Sequence, residues 1–134
     1  KALLPHMNDN ASVVALTYLG SSKIIPNYNV MGPCKASLES MVRYLAYECG
    51  SRSIRVNAIS AGPVRTPAAS GIKDMGLMLN RVASSSPIQK PITTEQIGNV
   101  AAFLCSDLSS GITGEVIFVD HGYHAMGVML ASEK

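Results

Sequence analysis

The chain has 134 residues, of which 47% are hydrophobic and 15% charged, a composition typical of one globular domain with a buried core. This balance excludes intrinsic disorder, and the length is too short for two domains of ordinary size. The net charge of +2 comes without a cluster of basic residues, which argues against nucleic acid or an anionic membrane as a partner.

The first predicted elements are the end of a helix over residues 1–7 and a strand over residues 12–18. A turn signal at residues 8–10, Asn-Asp-Asn, separates them. The second run is too continuously apolar for a strand with one wet face, so it predicts a buried, parallel strand that ends at Gly20.

A long helix is predicted next, because apolar residues recur at intervals of three and four. Gly50 supplies its stop signal. We place its start near Tyr28, since Pro33 is tolerated only close to the first turn of a helix. The apolar face comprises Met31, Cys34, Leu38, Met41, Val42, Leu45 and Cys49.

The middle of the chain holds a second strand and a long connection. The strand is predicted over residues 54–59, and the Ser-Ala-Gly-Pro run at 60–63 breaks it. Residues 67–92 are irregular apart from a short helix over 74–84. A connection of this length is typical of a functional lid.

A capping box at residues 93–96, Thr-Thr-Glu-Gln, opens the last predicted helix. Gly111 and Gly114 then bracket a turn before a third strand over residues 115–119. The helix presents one apolar face, formed by Ile97, Val100, Ala101 and Leu104.

The alternation of strands and helices predicts the α/β class, with a Rossmann-like parallel sheet of about three strands and covering helices. Ligands of such sheets bind beyond the carboxyl ends of the strands. Residues 18–20 and 60–66 lie at those ends, so both turns are expected to face one crevice.

Tyr28 and Lys35 lie seven residues apart, close to two helical turns, so on a helix both would project from one face about 10.5 Å apart in rise. They can therefore share a ligand. The alternative is that Tyr28 and Lys35 have this spacing by chance. The flanking sequence decides between a shared site and chance.

Several segments together resemble the bacterial enoyl-acyl-carrier-protein reductases of the short-chain dehydrogenase superfamily. Carbonyl-reducing members of that superfamily share a Tyr-x-x-x-Lys pair with an upstream Ser, whereas here Gly32 stands four residues after Tyr28 and six residues separate Tyr28 from Lys35. The segments are residues 16–20 (LTYLG), 25–32 (IPNYNVMG), 35–39 (KASLE), 55–66 (RVNAISAGPVRT), 69–72 (ASGI), 103–111 (FLCSDLSSG) and 113–116 (TGEV).

The family's dinucleotide-binding half, with its Gly-rich turn, is expected before residue 1. We therefore interpret residues 1–134 as the carboxyl-terminal half of a single Rossmann-type domain. Alone, this half is expected to be inactive and to oligomerise or aggregate, because a sheet cut to three strands leaves an edge uncovered.

The resemblance implies an oxidoreductase of fatty-acid biosynthesis that reduces the carbon–carbon double bond of a trans-2-enoyl thioester with NADH. It also implies acyl carrier protein as the substrate-bearing partner and a homotetramer as the assembly. NADPH stays open, because the residues that meet the adenosine ribose lie in the other half. The alternatives are a carbonyl-reducing short-chain dehydrogenase and an inactive fragment that acts only through assembly.

The resemblance assigns catalytic roles to three residues. Tyr28 would donate a hydrogen bond from its protonated hydroxyl to the enolate oxygen, and Lys35 would hold the nicotinamide ribose. Tyr18 would line the substrate site or assist protonation at the α-carbon, with water as an equal candidate for that proton and plain core packing as the alternative role.

The cofactor and the acyl chain are assigned to the flanking loops. The Val64 main chain would meet the nicotinamide carboxamide and Thr66 the diphosphate, with Ala61, Gly62 and Pro63 allowing close approach to the ring. A bare turn or ordinary core packing is the alternative for these positions. The implied substrate pocket comprises Tyr18, Met31, Ala68, Ile72, Met75 and Met78.

The histidines and cysteines receive structural interpretations. His121 and His124 beside Asp120 lack the further ligands of a metal site, so no metal is expected. His121 follows Asp120 where the family often has Gly, which predicts mild strain if this position needs a positive φ.

The three cysteines are widely spaced and form no C-x-x-C pair, which indicates a reducing, cytoplasmic compartment. Cys34 and Cys49 are expected to lie buried on the apolar helix face. No signal-peptide core and no run near the ~18 apolar residues of a membrane span is found, so no membrane association is expected.

Overall fold

Three short strands form one parallel sheet, in which β1 (Ser12–Thr17) and β3 (Val116–Val119) flank the central β2 (Arg55–Ala61). The computed structural model describes residues 2–66 and 75–127. The parallel order of the strands confirms the predicted Rossmann-like α/β class. The predicted strand positions are correct to within two residues at each end.

The register of the sheet brings the carboxyl ends of the three strands to one edge. Thr17, the last residue of β1, lies opposite Ser60, and Ala61, the last residue of β2, lies opposite Val119. The loops that leave these ends therefore start side by side, as expected for a parallel sheet.

The helices are α1 (Met31–Cys49), α2 (Met75–Ser85) and α3 (Thr94–Cys105). The position of α2 confirms the short helix predicted over 74–84. Short 3-10 turns complete the described elements, at Leu4–His6, Leu19–Ser21, Gly50–Arg52, Asp107–Ser109 and Tyr123–Ala125.

The predicted capping box opens α3. The Gln96 N–H donates to Thr93 Oγ1 at 3.2 Å, and the Thr93 N–H donates to Gln96 Oε1 at 3.0 Å. The helix turns its predicted face inward, because Leu104 is buried and the other three members of the face are half-buried. Local sequence signals were sufficient for this helix.

The predicted start of α1 near Tyr28 is wrong, because the helix begins at Met31. Asn27 and Asn29 take left-handed backbone angles, with φ of 65° and 47°, and such residues cannot belong to a right-handed helix. Pro33 consequently falls in the first turn, where its missing N–H costs no helical hydrogen bond.

The buried face of α1 also differs from the prediction. Gly32, Val42, Ala46 and Cys49 are buried, whereas Cys34, Met31, Met41 and Leu45 are exposed and Leu38 is half-buried. Gly32 lies against the 3-10 turn Leu19–Ser21, where a Cβ would stand 2.9 Å from the carbonyl oxygen of Gly20. Val42, Ala46 and Cys49 belong to the core cluster that includes Val56 and Ala58 of β2. The thiols of Cys34, Cys49 and Cys105 are all free.

The prediction that the first strand is fully buried is wrong within this chain. β2 is buried along residues 55–60, whereas residues 12–15 of β1 are half-buried and Leu16 is 58% exposed. β2 has a neighbour on each side, while β1 has a described neighbour only on one side. The continuous apolar run at residues 12–18 predicted that a strand forms there, but it did not predict how deeply that strand is buried.

The amino-terminal end of β2 carries a buried polar network. Arg55 Nη1 donates to the Leu104 carbonyl at 2.8 Å and to Ser109 Oγ at 2.7 Å. Asn57 Nδ2 donates to the Ile112 carbonyl at 2.8 Å, and Asn57 Oδ1 accepts from the Glu115 N–H at 3.1 Å. These bonds attach the α3–β3 connection to the centre of the sheet.

Among the described residues, none of the helices has both the length and the apolar composition that crossing a bilayer requires.

Candidate active site

A cleft of about 560 Å³ opens at the carboxyl edge of the sheet. Its floor is formed by the ends of β1 and β2, and its walls by the loop before α1, the first turns of α1 and the side of α2. The lining residues are Leu16, Thr17, Tyr18, Ile25, Pro26, Asn27, Tyr28, Met31, Lys35, Ala61, Gly62, Pro63, Val64, Thr66 and Met78.

Tyr18 and Tyr28 meet edge to face in this cleft, with ring centroids 5.1 Å apart and ring planes at 68°. Gly20 makes this contact possible, since a Cβ at that position would lie 2.5 Å from Tyr28 Cδ1. Within residues 2–66 and 75–127, neither tyrosine hydroxyl has a hydrogen-bond partner. Both hydroxyls are therefore available to form hydrogen bonds with a ligand.

Both tyrosines hold their protons more tightly than free tyrosine does. Burial, assisted by the neighbouring Tyr123 and Tyr28 hydroxyls, raises the pKa of Tyr18 to about 12. Burial, with a smaller contribution from the Cys34 thiol, raises the pKa of Tyr28. Each phenol is therefore a hydrogen-bond donor across the physiological pH range.

Lys35 extends from the second turn of α1 toward the end of β1. Its Nζ donates to the Leu16 carbonyl oxygen at 2.8 Å, which directs the ammonium into the cleft beside Tyr28. An ammonium group has three donors, so two are available to a ligand. Tyr28 lies three residues before α1, so a turn, and not the predicted shared helical face, places Tyr28 and Lys35 in one cleft.

The turn after β2 forms the opposite side of the cleft. The predicted strand break at residues 60–63 comes two residues too early, because β2 continues through Ala61 and the Gly62 N–H donates to the Val119 carbonyl at 2.8 Å. A Cβ at Gly62 would lie 3.1 Å from Asp120 Cα and 3.2 Å from Ile92 Cγ2. A side chain there would require these neighbours to shift by a few tenths of an ångström, so glycine lets the turn pack closely against Asp120 and Ile92.

The structure brings ten of the predicted site residues together around this one cleft. Ala68 and Ile72 lie outside the described residues, and of Met75 only the backbone, at the start of α2, is described. The ten residues are Tyr18, Tyr28, Met31, Lys35, Ala61, Gly62, Pro63, Val64, Thr66 and Met78.

Sequence reasoning missed other lining residues. Leu16 and Thr17 directly precede Tyr18, and residues 25–27 directly precede Tyr28, so adjacency to assigned residues was the available signal. Glu39 was also missed, although it follows Lys35 by four residues, the spacing of side chains on one helical face.

The histidines after β3 have structural partners. His124 Nδ1 lies 3.0 Å from Asp120 Oδ1, and its ring stacks on Phe118 with centroids 3.9 Å apart. His121 has a φ of 56°, so it takes the left-handed conformation under which the sequence predicts mild strain. In the part of the chain that the structure describes, no group of three metal-ligating side chains occurs.

A family model described as Enoyl-(Acyl carrier protein) reductase matches residues 1–124 of this chain. Among curated relatives, the chain is 54% identical over 122 residues to enoyl-acyl-carrier-protein reductase (NADH) 1 of Rhizobium meliloti (strain 1021). That alignment covers 91% of this chain and 45% of the relative. The chain thus spans about half the length of the curated relatives it matches.

Two solved structures have the same fold as this chain. The crystal structure of an enoyl-acyl-carrier-protein reductase (NADH) from Aquifex aeolicus VF5 has a TM-score of 0.89 at 53% identity, covering 94% of this chain and 49% of that one. The Bacillus cereus enoyl-acyl carrier protein reductase with NADP+ and indole naphthyridinone has a TM-score of 0.90 at 47% identity, covering 93% and 49%.

Proposed function

This chain belongs to the enoyl-(acyl carrier protein) reductase family, and from that membership we propose that the protein reduces the carbon–carbon double bond of trans-2-enoyl thioesters. The substrate is carried on acyl carrier protein, and NADH is the reductant. The observation that supports this most is the convergence of Tyr28, with its firmly held proton, and Lys35 in one cleft.

The donor set of the cleft fits the nicotinamide half of NADH. Two free donors on the Lys35 ammonium suit a ribose diol, and the close-packed turn at residues 61–64 offers a flat approach to a ring. In this proposal the Val64 main chain holds the carboxamide and Thr66 the diphosphate. When bound, NADH supplies the hydride that reaches the β-carbon of the enoyl group.

Tyr28 is the proposed donor to the thioester oxygen. Negative charge develops on that oxygen as the double bond is reduced, and a preorganised hydrogen-bond donor stabilises it. The raised pKa keeps the phenol protonated, so Tyr28 donates a hydrogen bond without surrendering its proton. The nearby Lys35 ammonium adds a positive charge that favours the same oxyanion.

Tyr18 and the methionines are proposed to hold the acyl chain. The Tyr18 ring supports Tyr28 by its edge contact, while Met31 and Met78 supply adaptable apolar surface on two walls of the cleft. We assign Ala68, Ile72 and Met75 to the same pocket, as parts of a lid over residues 67–92. Tyr18 and water are equal candidates for the source of the α-carbon proton, because a raised pKa of about 12 still leaves the Tyr18 phenol a stronger acid than water.

The exposed side of α1 supports a proposed homotetramer. Tyr44 and Tyr47, the latter 88% exposed, lie on this side with Met41 and Leu45. A helix face with this much apolar surface is typically covered by another copy of the chain. Light scattering of the complete protein at micromolar concentration is expected to give a tetramer, and a monomer would contradict the assignment. The free thiols of Cys34, Cys49 and Cys105 support a proposed cytoplasmic location.

The reaction is tested in the complete protein with a crotonyl thioester and NADH, and with NADPH and simple ketones as comparisons. We expect enoyl reduction and no ketone reduction. Tyr28→Phe should lower turnover about a hundredfold with little change in NADH affinity, because it removes one oxyanion donor. Lys35→Ala should weaken NADH binding as well. Ketone reduction without enoyl reduction would identify a carbonyl reductase instead.

A further inference from the structure

Two hydrogen bonds join α1 to the end of β1 directly beneath the cleft. Lys35 Nζ donates to the Leu16 carbonyl oxygen at 2.8 Å, and Thr17 Oγ1 donates to Glu39 Oε1 at 2.6 Å. Consecutive residues of the strand thus contact residues four apart on one face of the helix. Thr17 and Glu39 form the second of these contacts, next to the one that orients Lys35.

The Thr17–Glu39 bond is short and sheltered. Thr17 is only 4% exposed, and 2.6 Å is the length of a hydroxyl bond to an ionised carboxylate. A carboxylate has no proton to give, so the threonine hydroxyl is the donor. Because Thr17 ends β1, this bond holds the Glu39 carboxylate against the strand.

Glu39 has a second, competing partner within reach. Side chains at positions i and i+4 of a helix are neighbours, so the Lys35 ammonium and the Glu39 carboxylate are close enough in sequence spacing to form an ion pair. The described residues contain no ion pair between Lys35 and Glu39, although both side chains lean toward the end of β1. The Lys35 ammonium is bonded to a main-chain carbonyl, and the Glu39 carboxylate to Thr17.

We propose that Thr17 and Glu39 are positioning residues: the Thr17 hydroxyl holds the Glu39 carboxylate away from Lys35, so that two ammonium donors stay available to the ribose of the cofactor. This inference rests on the proposed role of Lys35 in binding NADH. Without the hydroxyl, the carboxylate swings to Lys35, occupies one donor and neutralises its charge.

The test compares Thr17→Val, Thr17→Ser and the double variant Thr17→Val with Glu39→Gln, all in the complete protein. The equilibrium dissociation constant of NADH is measured by nicotinamide fluorescence, alongside KM and kcat for a crotonyl thioester. We expect Thr17→Val to weaken NADH binding about twofold to fivefold, the size of one ion pair near the protein surface. Thr17→Ser keeps the hydroxyl and should restore NADH binding.

The double variant separates positioning from packing. Glutamine carries no charge, so it cannot form an ion pair with the ammonium or neutralise it, and Glu39→Gln should recover most of the affinity that Thr17→Val loses. Thr113→Val is the matched control, because the Thr113 hydroxyl accepts from the Val56 N–H at 3.0 Å, away from the cleft. It should lower the thermal midpoint and leave NADH affinity unchanged. If Thr17→Val does not fold, Thr17→Ala replaces it.

Two results would overturn the inference. One is unchanged NADH affinity in Thr17→Val, and the other is a double variant that binds NADH as weakly as Thr17→Val alone, which would mean a packing defect. These differ from failure of the proposed function, which appears in the unmodified protein as an inability to bind NADH or to reduce the enoyl thioester.

Discussion

The two ends of the central strand β2 use polar residues in opposite ways. At the amino-terminal end, Arg55 and Asn57 are buried, and their side-chain nitrogens donate to backbone carbonyls or to a serine hydroxyl of the same chain. At the carboxyl end, the Tyr18 and Tyr28 hydroxyls have no partner among the described residues, and Lys35 uses one donor of three.

This difference separates stability from function within one sheet. A buried polar group lowers stability unless it is hydrogen-bonded, so a fully bonded network such as that of Arg55 has a structural role. Donors that a fold leaves open toward a cleft are available to a ligand instead. The contrast leads to three predictions. A variant at the amino-terminal end should change stability, one at the cleft should change activity, and another at the cleft should change stability only at alkaline pH.

The largest expected effect comes from Arg55→Met at the structural end. The substitution removes a buried guanidinium that donates to the Leu104 carbonyl, the Ser106 carbonyl and the Ser109 hydroxyl, so three charge-assisted hydrogen bonds are lost. We expect the free energy of unfolding to fall by about 3 kcal/mol, with unchanged turnover in the protein that remains folded.

Urea unfolding of the complete protein measures this loss. The exposed Arg81 is the matched control, and Arg81→Met should change the free energy of unfolding by less than about 0.5 kcal/mol. Loss of turnover in folded Arg55→Met protein would show that the two ends of β2 are not independent.

A smaller effect is expected from Gly20→Ala at the cleft. The new Cβ would lie 2.5 Å from Tyr28 Cδ1 and 2.7 Å from Cε1, so the Tyr28 ring must move. Displacing the proposed oxyanion donor should lower turnover about tenfold, equivalent to about 1.4 kcal/mol in the barrier. Stability should change little, because the ring can shift into the open cleft.

Gly98→Ala in α3 provides the control for this substitution, since nothing lies within 4 Å of the added Cβ. Alanine is the better helix former by about 1 kcal/mol, so this variant should be more stable and equally active. Steady-state turnover and thermal unfolding of both variants check the prediction. A Gly20→Ala protein with normal turnover would mean that the position of the Tyr28 ring is not critical.

The smallest expected effect concerns pH. The pKa of Tyr18 is about 12 in the folded chain and about 10 in an unfolded one, so the folded state binds its proton more tightly. The resulting stabilisation is fully present below pH 10 and is lost as the pH rises from about 10 to about 12. Phenylalanine does not titrate, so Tyr18→Phe should reduce this alkaline loss.

Thermal midpoints of the unmodified protein and of Tyr18→Phe between pH 8 and pH 12 measure the difference. Equal slopes in the two proteins would mean that Tyr18 is not the group responsible. The effect is small because the tyrosine at the cleft is only partly sheltered from water.

Local sequence signals determined the elements of this protein and the residues of its candidate site. The capping box of α3, the bounds of α2 and the three strands depend on neighbouring residues, and their prediction was correct or nearly so. Motif resemblance added ten described residues that do line one cleft.

Tertiary structure alone decided how those elements meet. Periodicity predicted that Met31, Met41 and Leu45 belong to the buried face of α1, but these residues are exposed. The helix instead places Gly32 against the Gly20 carbonyl of the Leu19–Ser21 turn, and Val42, Ala46 and Cys49 in the core with β2. Left-handed angles at Asn27 and Asn29 detach Tyr28 from the helix, and the end of β1 selects Glu39 as a partner for Thr17. Such contacts join residues distant in sequence, and residue spacing carries no information about the distance between packed elements.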